Sequence, residues 1–329
     1  MGFSWVIDLN AIRESHPWLY PFSVAIKNLL GVDELNLIWL FCLSGMMAAI
    51  ISFDAIFQST PSTKAHQKIN GRAYLQDLLL FYFQVFYGQF IPLSALNISA
   101  AYSSQWALSI RDFFGFQFSL SQNYELASVV LMICVFVAQD LARYLSHRSQ
   151  HRFDWFWELH KFHHSAESLN PFTIFREHPF IFVANALFVV SFSMAATIPI
   201  IVLFPVLEGT PVVALGGMVS FVFIKSQVLL SHYHRPISLG FLDRIFVTPA
   251  VHAIHHSADP RHFDTNFGTT LTWWDHLFKT YWLPKAEDLE SYKPGIEETE
   301  TKIKGHLFPV KFLFWDLTVQ SLQKIFKSR

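Results

Sequence analysis

Charge is scarce in this 329-residue chain: Asp, Glu, Lys and Arg together make up 15% of it. Soluble domains carry about a quarter. What charge there is balances, with 24 basic and 25 acidic residues, so no basic surplus points to nucleic acid. Cysteine is nearly absent. Cys42 and Cys134 both lie in apolar runs, which excludes a disulfide framework and a thiolate metal site. The chain has no G-x-G-x-x-G fingerprint, no C-x-x-C cluster and no H-E-x-x-H. A dinucleotide-binding domain, a fused electron-transfer module and a zincin protease are therefore not expected. The N-terminus, MGFSWVIDLN, has neither a basic n-region nor a small-residue cleavage site, so no cleaved signal peptide is read.

Apolar and aromatic residues are abundant instead. Hydrophobic residues account for 52%, and Phe alone for 35 positions. A water-soluble fold of this size has too little interior to hide that much aromatic surface. Long uncharged runs give the reason. Residues 35–53, 78–110, 126–139, 179–207 and 209–224 carry no Asp, Glu, Lys or Arg. About 20 apolar residues cross a bilayer as a helix. The 78–110 run is too long for one span and is expected to break near Pro92. The expectation is an all-α integral membrane protein with about four transmembrane helices. Three regions follow: an N-terminal membrane region over 1–125, a catalytic region over 126–283 and a C-terminal tail over 284–329. Residues 308–326 of that tail read as an amphipathic helix suited to a membrane interface.

Basic residues orient the spans. They gather at Lys64, Lys68 and Arg72, and again at Arg143, Arg148, Arg152 and Lys161. This places residues 54–77, 143–178 and 232–329 in the cytoplasm. The two short runs end in a charge, Asp140 or Lys225, seven residues before a histidine, His147 or His232. Both helices are expected to continue out of the bilayer as stalks.

Histidine is the surplus that a plain membrane anchor does not explain. Thirteen of the 16 lie in residues 147–276. His147 and His151 form H-x-x-x-H. His160, His163 and His164 form H-x-x-H-H, and His252, His255 and His256 repeat it. Helix positions i, i+3 and i+4 are neighbours, so each triplet is expected to aim three imidazoles at one point. With His232 there are nine candidates, too many for one ion but enough for two with four or five nitrogen ligands each. Imidazole suits iron, zinc, copper or nickel.

The succession HRSQH, WELHKFHHSAESLNPFT, FREHP, SHYHRPISLGFLDRIFVTPAVHAIHHSADP and NFGTTLTWWDHLFKTYW resembles the fatty acid hydroxylase/sterol desaturase superfamily over about residues 130–283. The resemblance implies a membrane-bound di-iron oxygenase that hydroxylates or desaturates a lipid with O2 and electrons from an external reductase, ferredoxin or cytochrome. It implies two iron ions, with zinc able to occupy the sites on isolation, in a cytoplasmic helical cap. Carried over by position, the ligands are His147 and His151, then His160, His163 and His164, then His252, His255 and His256, with His232. His178 stands in the R-x-H-P element, as a ligand or a supporting residue. His234 stands where many members have Asn, as an extra ligand or a neighbour. Imidazole ligands usually donate their second N–H to a carboxylate or carbonyl. Asp140, Asn266 and Asp275 are the candidates for that support. The absence of a fused electron-transfer domain favours a bacterial inner membrane over the endoplasmic reticulum. The alternative reading is a metal transporter or metal-handling membrane protein, but such proteins usually hold ligands near the bilayer midplane. Here every boxed histidine lies outside the uncharged runs.

Overall fold

The computed structural model describes residues 71–88, 92–296 and 315–327. The span expected over 35–53 lies outside the described residues, as do His16, His66 and His306. The described chain is helical, with no strand among the described residues and only two isolated β-bridges, Phe246 to Leu271 and Ser257 to Pro294.

The 78–110 run breaks as expected. α1 covers Gly71–Gly88 and α2 covers Pro92–Phe114, so Pro92 opens the second helix. Proline fits there because the first turn has no use for its missing N–H. α3, Tyr124–Arg152, starts where the Asn123 side chain accepts the Leu126 N–H at 2.7 Å. It runs unbroken from the apolar stretch into HRSQH, so the membrane-type helix and the first histidine box are one rod. Arg152 closes it, where a cation suits the helix dipole. α4, Asp154–His164, follows after a break at Phe153. A five-residue 3₁₀ turn, Pro171–Phe175, leads to α5, Pro179–Leu203, and then α6, Pro211–Ser231. Three short helices complete the polar part: α7, Pro249–His255, α8, Trp273–Phe278, and α9, Ala286–Glu290. α10 covers Leu317–Lys327.

Among the described residues, α3 and α5 are the two helices long and apolar enough to cross a membrane. α3 packs along α5 and α6, and α2 packs along the same pair. Far from the histidines the bundle is apolar, built on Leu131, Val135, Ile201 and Leu207. Nearer to them its internal contacts turn polar. Gln139 Nε2 donates to Ser193 Oγ on α5 at 3.1 Å and to the Gly217 carbonyl on α6 at 3.3 Å. Ser146 Oγ and Gln150 Nε2 both donate to Asn185 Oδ1, at 2.6 and 3.0 Å. These directional bonds fix the rotation of α3, and with it the direction of the histidines on its next turn.

α10 packs on α4. Ser321 Oγ donates to the Trp155 carbonyl at 2.7 Å, and Leu317 joins the cluster of Phe156, Leu159 and Phe162. The expected amphipathic pattern is there, but its inner face meets protein, while Leu322 and Phe326 face outward. α4 is consequently covered on nearly every side. Even Lys161 is buried, paired with Glu158 and donating to Gln320 Oε1 at 3.0 Å.

Candidate metal centre

Nine histidines converge beside the C-terminal end of α3, in two groups. His147, His151, His160, His164 and His255 form one, and His163, His232, His252 and His256 form the other. Within each group the ligand-capable atoms all lie within 4.8 Å of one another. An ion with metal–nitrogen bonds of about 2.1 Å holds opposite ligands about 4 Å apart, so modest contraction fits either group to one ion. No carboxylate or cysteine joins either group among the described residues.

The triplets do not each aim at one point, and this differs from the reading of the spacing. His160 and His164 enter the five-histidine group, while His163 enters the other. His252 and His256 stay together, while His255 crosses over. Helix geometry is the reason. At about 100° per residue, i and i+4 diverge by about 40°, but i+3 and i+4 diverge by about 100°. Each H-x-x-H-H thus gives a pair to one group and a single ring to its neighbour. The two boxes do this in opposite senses, so together with α3 and His232 they build both groups.

Local sequence explains how the third box is presented. Thr248 caps α7 through its side chain, which accepts the Val251 N–H at 3.4 Å, and Pro249 is the first helical residue. Thr248 Oγ1 also donates to the buried Asp243 Oδ1 at 2.7 Å. His232 is the capping residue at the C-terminus of α6.

Backbone carbonyls set the tautomers. His147 Nδ1 lies 2.9 Å from the Phe267 carbonyl, His255 Nδ1 2.9 Å from that of Thr265, and His232 Nδ1 2.8 Å from that of Val228. A carbonyl only accepts, so each Nδ1 carries the proton and a neutral ring keeps its Nε2 lone pair free. Burial, reinforced by neighbouring imidazoles, holds His160, His163, His164, His252 and His256 well below the usual imidazole range. His255 is lowered in the same way. Protonation is therefore disfavoured in both groups. Yet the Nε2 atoms crowd together. His232 lies 3.2 Å from His163 and 3.0 Å from His252, His256 lies 3.1 Å from His252, and His164 lies 3.1 Å from His151. Both ring nitrogens of His160 and the Nε2 of His255 are buried without a hydrogen-bond partner. Converging lone pairs and orphaned buried nitrogens are costly unless a cation satisfies them. The donor set fits first-row transition ions, iron among them.

The three supporting candidates act one step further out. Asp275 accepts the Phe267 and Gly268 N–H groups, each at 2.8 Å, and Thr280 Oγ1 at 2.7 Å. Asn266 takes a left-handed backbone, donates to the Val251 and Trp282 carbonyls and accepts the Trp282 N–H. Asp140 accepts from Thr269 Oγ1, the Thr270 and Leu271 N–H groups and Trp274 Nε1. They clamp the 265–282 segment, whose carbonyls then orient His147 and His255. Sequence reading did not find Phe267, whose ring lies 5.1 Å from that of His151 and closes one wall of the larger group. Trp157 closes another, 5.1 Å from His151 and 5.4 Å from His164.

Other histidines lie elsewhere. His178 caps α5, accepting the Phe180 N–H at 3.1 Å, and its Nε2 meets Thr318 Oγ1 at 3.0 Å. His234 lies beside Tyr233, its ring tilted 53° from that ring, outside both groups. His262 bonds Ser257 Oγ at 2.9 Å and lies 3.3 Å from Asp288, and His276 bonds the Arg244 carbonyl.

The clamp has a tight point. A methyl group built on Gly268 meets Asp275 Oδ2 at 2.7 Å and the Leu271 carbonyl at 2.8 Å. Gly268→Ala is expected to shift the Phe267 carbonyl from His147 and to destabilise the protein by about 1–3 kcal/mol. A thermal-unfolding midpoint and bound-metal content equal to those of the unsubstituted protein would contradict this.

Comparison with known proteins agrees with the histidine pattern. Residues 132–280 match the family model described as fatty acid hydroxylase. An alkylglycerol monooxygenase of Caenorhabditis elegans is 28% identical over 190 residues, covering 57% of this chain and 33% of that protein. An ornithine lipid hydroxylase of Rhizobium tropici is 31% identical over 151 residues, covering 45% and 40%. The human alkylglycerol monooxygenase is 25% identical over 185 residues, covering 55% and 37%. The chain thus spans no more than two fifths of the length of these relatives. No solved structure gives a significant match. The matched segment runs from within α3 into the 265–282 clamp and holds all nine clustered histidines, and this region of the chain belongs to the fatty acid hydroxylase/sterol desaturase superfamily.

Proposed function

We propose that this protein is a membrane-bound di-iron hydroxylase acting on a lipid. The observation that carries the reading is the pair of adjoining all-histidine groups, five and four, beside the C-terminal end of α3, a helix long and apolar enough to cross a membrane. In the proposed arrangement about four helices span the bilayer, the histidine cap lies on the cytoplasmic side, and a bacterial inner membrane is favoured. The basic residues Arg143, Arg148, Arg152 and Lys161 support that orientation.

His147, His151, His160, His164 and His255 would hold one iron, and His163, His232, His252 and His256 the other. When bound, the two ions supply activation of dioxygen and attack on an unactivated C–H bond. The balanced reaction consumes substrate R–H, one O2, two electrons and two protons, and yields R–OH and water. An external reductase, ferredoxin or cytochrome would deliver the electrons. The residues present do the rest. The carbonyls of Phe267, Thr265 and Val228 hold His147, His255 and His232 with Nε2 facing inward. Phe267 and Trp157 screen the larger group from water. Hydroxylation is favoured over desaturation because the relatives are named as monooxygenases and a hydroxylase. Those names also favour a lipid with a polar head, of the alkylglycerol or amino-acid lipid kind.

Mass spectrometry of lipids from cells with and without the gene tests this. The expected result is a lipid class that gains one oxygen only when the gene is present. An unchanged lipid profile, with metal uptake into vesicles and no oxygen consumption, would overturn the reading.

A further inference from the structure

We propose that residues 239–246 and α8 together form a membrane-contact face that lies in the headgroup layer of an anionic leaflet. This rests on the reading that α3 crosses the bilayer. The two segments are far apart in sequence but joined side by side. Val247 N donates to the Thr270 carbonyl at 2.9 Å, Thr272 N to that of Ile245 at 3.0 Å, and Tyr281 Oη to that of Asp243 at 2.8 Å.

Their outer surface is apolar to a degree a polar cap does not need. Phe241 is 71% exposed and Leu277 66%, with Leu239, Leu242, Phe246 and Trp273 also exposed. Left in water, so many exposed apolar side chains on two joined segments are a liability. The acids of the two segments point inward. Asp243 accepts from Ser238 Oγ, the Leu239 N–H and Thr248 Oγ1, and Asp275 belongs to the clamp on Phe267 and Gly268. The charges left outside, Arg244 in the first segment and Lys279 directly after α8, are both positive. Aromatic and aliphatic residues flanked by cations suit the border of a bilayer with anionic headgroups.

Depth supports the same occupant. Asp140, at the end of the uncharged 126–139 run, binds the Leu271 N–H and Trp274 Nε1. One turn further along α3, Tyr144 stacks on Phe278 with ring centroids 5.3 Å apart. Four residues of helix rise about 6 Å, and the headgroup layer on each side of the hydrocarbon is about 5–8 Å thick. The patch is thus tied to α3 over the depth of that layer. A docking face for a soluble partner would instead be expected to stand clear of it.

The test uses the full chain, freed of its two cysteines, carrying a nitroxide at Leu277→Cys or at Val129→Cys, an exposed position on α3. It is reconstituted in phosphatidylcholine vesicles with or without phosphatidylglycerol. The accessibility of each label to oxygen and to a water-soluble nickel complex reports its depth. The expected result is a Val129 label in hydrocarbon and a Leu277 label between it and free nitroxide in buffer. Phosphatidylglycerol is expected to draw the Leu277 label deeper, and Arg244→Gln with Lys279→Gln to abolish that shift. A Leu277 label in water with the Val129 label in hydrocarbon overturns the proposal and leaves the patch as a protein-docking face. A Val129 label in water overturns the spanning of α3 itself.

Discussion

Replacing His163 with alanine is expected to abolish lipid oxidation, and replacing His255 to do the same, through loss of a different ion in each case. His163 belongs to the four-histidine group and His255 to the five-histidine group. The first substitution leaves three imidazoles for its ion and the second leaves four. Loss of a supporting contact alone typically costs 10–100-fold in metal affinity or activity, so loss of a ligand is expected to cost more than about 100-fold in product. The four-histidine group has no spare donor among the described residues, so His163→Ala is expected to lower bound metal the most. His178→Ala and His234→Ala serve as comparisons. Both residues lie outside the two groups, and both variants are expected to retain metal. Metal analysis of the purified variants, with the lipid product measured in the same preparations, checks this. Full metal and full product in both His163→Ala and His255→Ala would end the di-iron reading.

The second large effect is expected at a residue outside the histidine boxes. Asp77 on α1 is fully buried and lies outside the family match. It accepts from Asn170 Nδ2 at 2.6 Å and Thr173 Oγ1 at 3.1 Å, and it pairs with Arg176 Nε. Arg176 also reaches Ser165 Oγ at 3.3 Å and Gln76 Oε1 at 3.2 Å. Asn170 caps the 3₁₀ turn by accepting the Phe172 N–H, and Thr173 Oγ1 accepts the Asn170 N–H in return. One carboxylate thus holds the whole loop that leaves the second histidine box. Asp77→Ala strands a buried guanidinium, and breaking a buried pair from one side costs about 3–5 kcal/mol. Asp77→Leu combined with Arg176→Met is expected to recover part of this loss, because no buried charge remains. Thermal unfolding of the detergent-solubilised variants measures both effects. An Asp77→Ala variant that unfolds with the unsubstituted protein would show that the pair does not hold the loop.

The histidine pattern was legible because metal ligation uses few residue types at helical spacings. H-x-x-x-H and two H-x-x-H-H segments mark the eight boxed residues without reference to any contact. The break at Pro92 and the continuation of α3 into HRSQH were legible for a similar reason. Proline and charge punctuate helices locally, and a helix needs no distant partner for its backbone bonds. The division of each H-x-x-H-H between two groups was half legible. Helix geometry requires that His163 and His164 diverge, but not that each finds partners on other helices.

The supporting contacts were not legible. Asp140, Asn266 and Asp275 stood out as polar residues in suggestive places, yet carbonyls and not these side chains meet the imidazoles. Every residue has a carbonyl, so composition and spacing cannot mark Phe267, Thr265 or Val228 for this role. Asp77 was equally silent, one acid among 25, its partner 99 residues away.

The amino-acid order is therefore enough to establish the helical apolar frame, the inventory of nine imidazoles and the family of the region that carries them. Those properties depend on periodicity and residue chemistry, which are local. The packing of the bundle assigned five rings to one group and four to the other, turned the acids onto the clamp and placed Asp77 behind the second box. Such assignments depend on which distant segments meet, and that follows only when the burial of every helix face is satisfied at once.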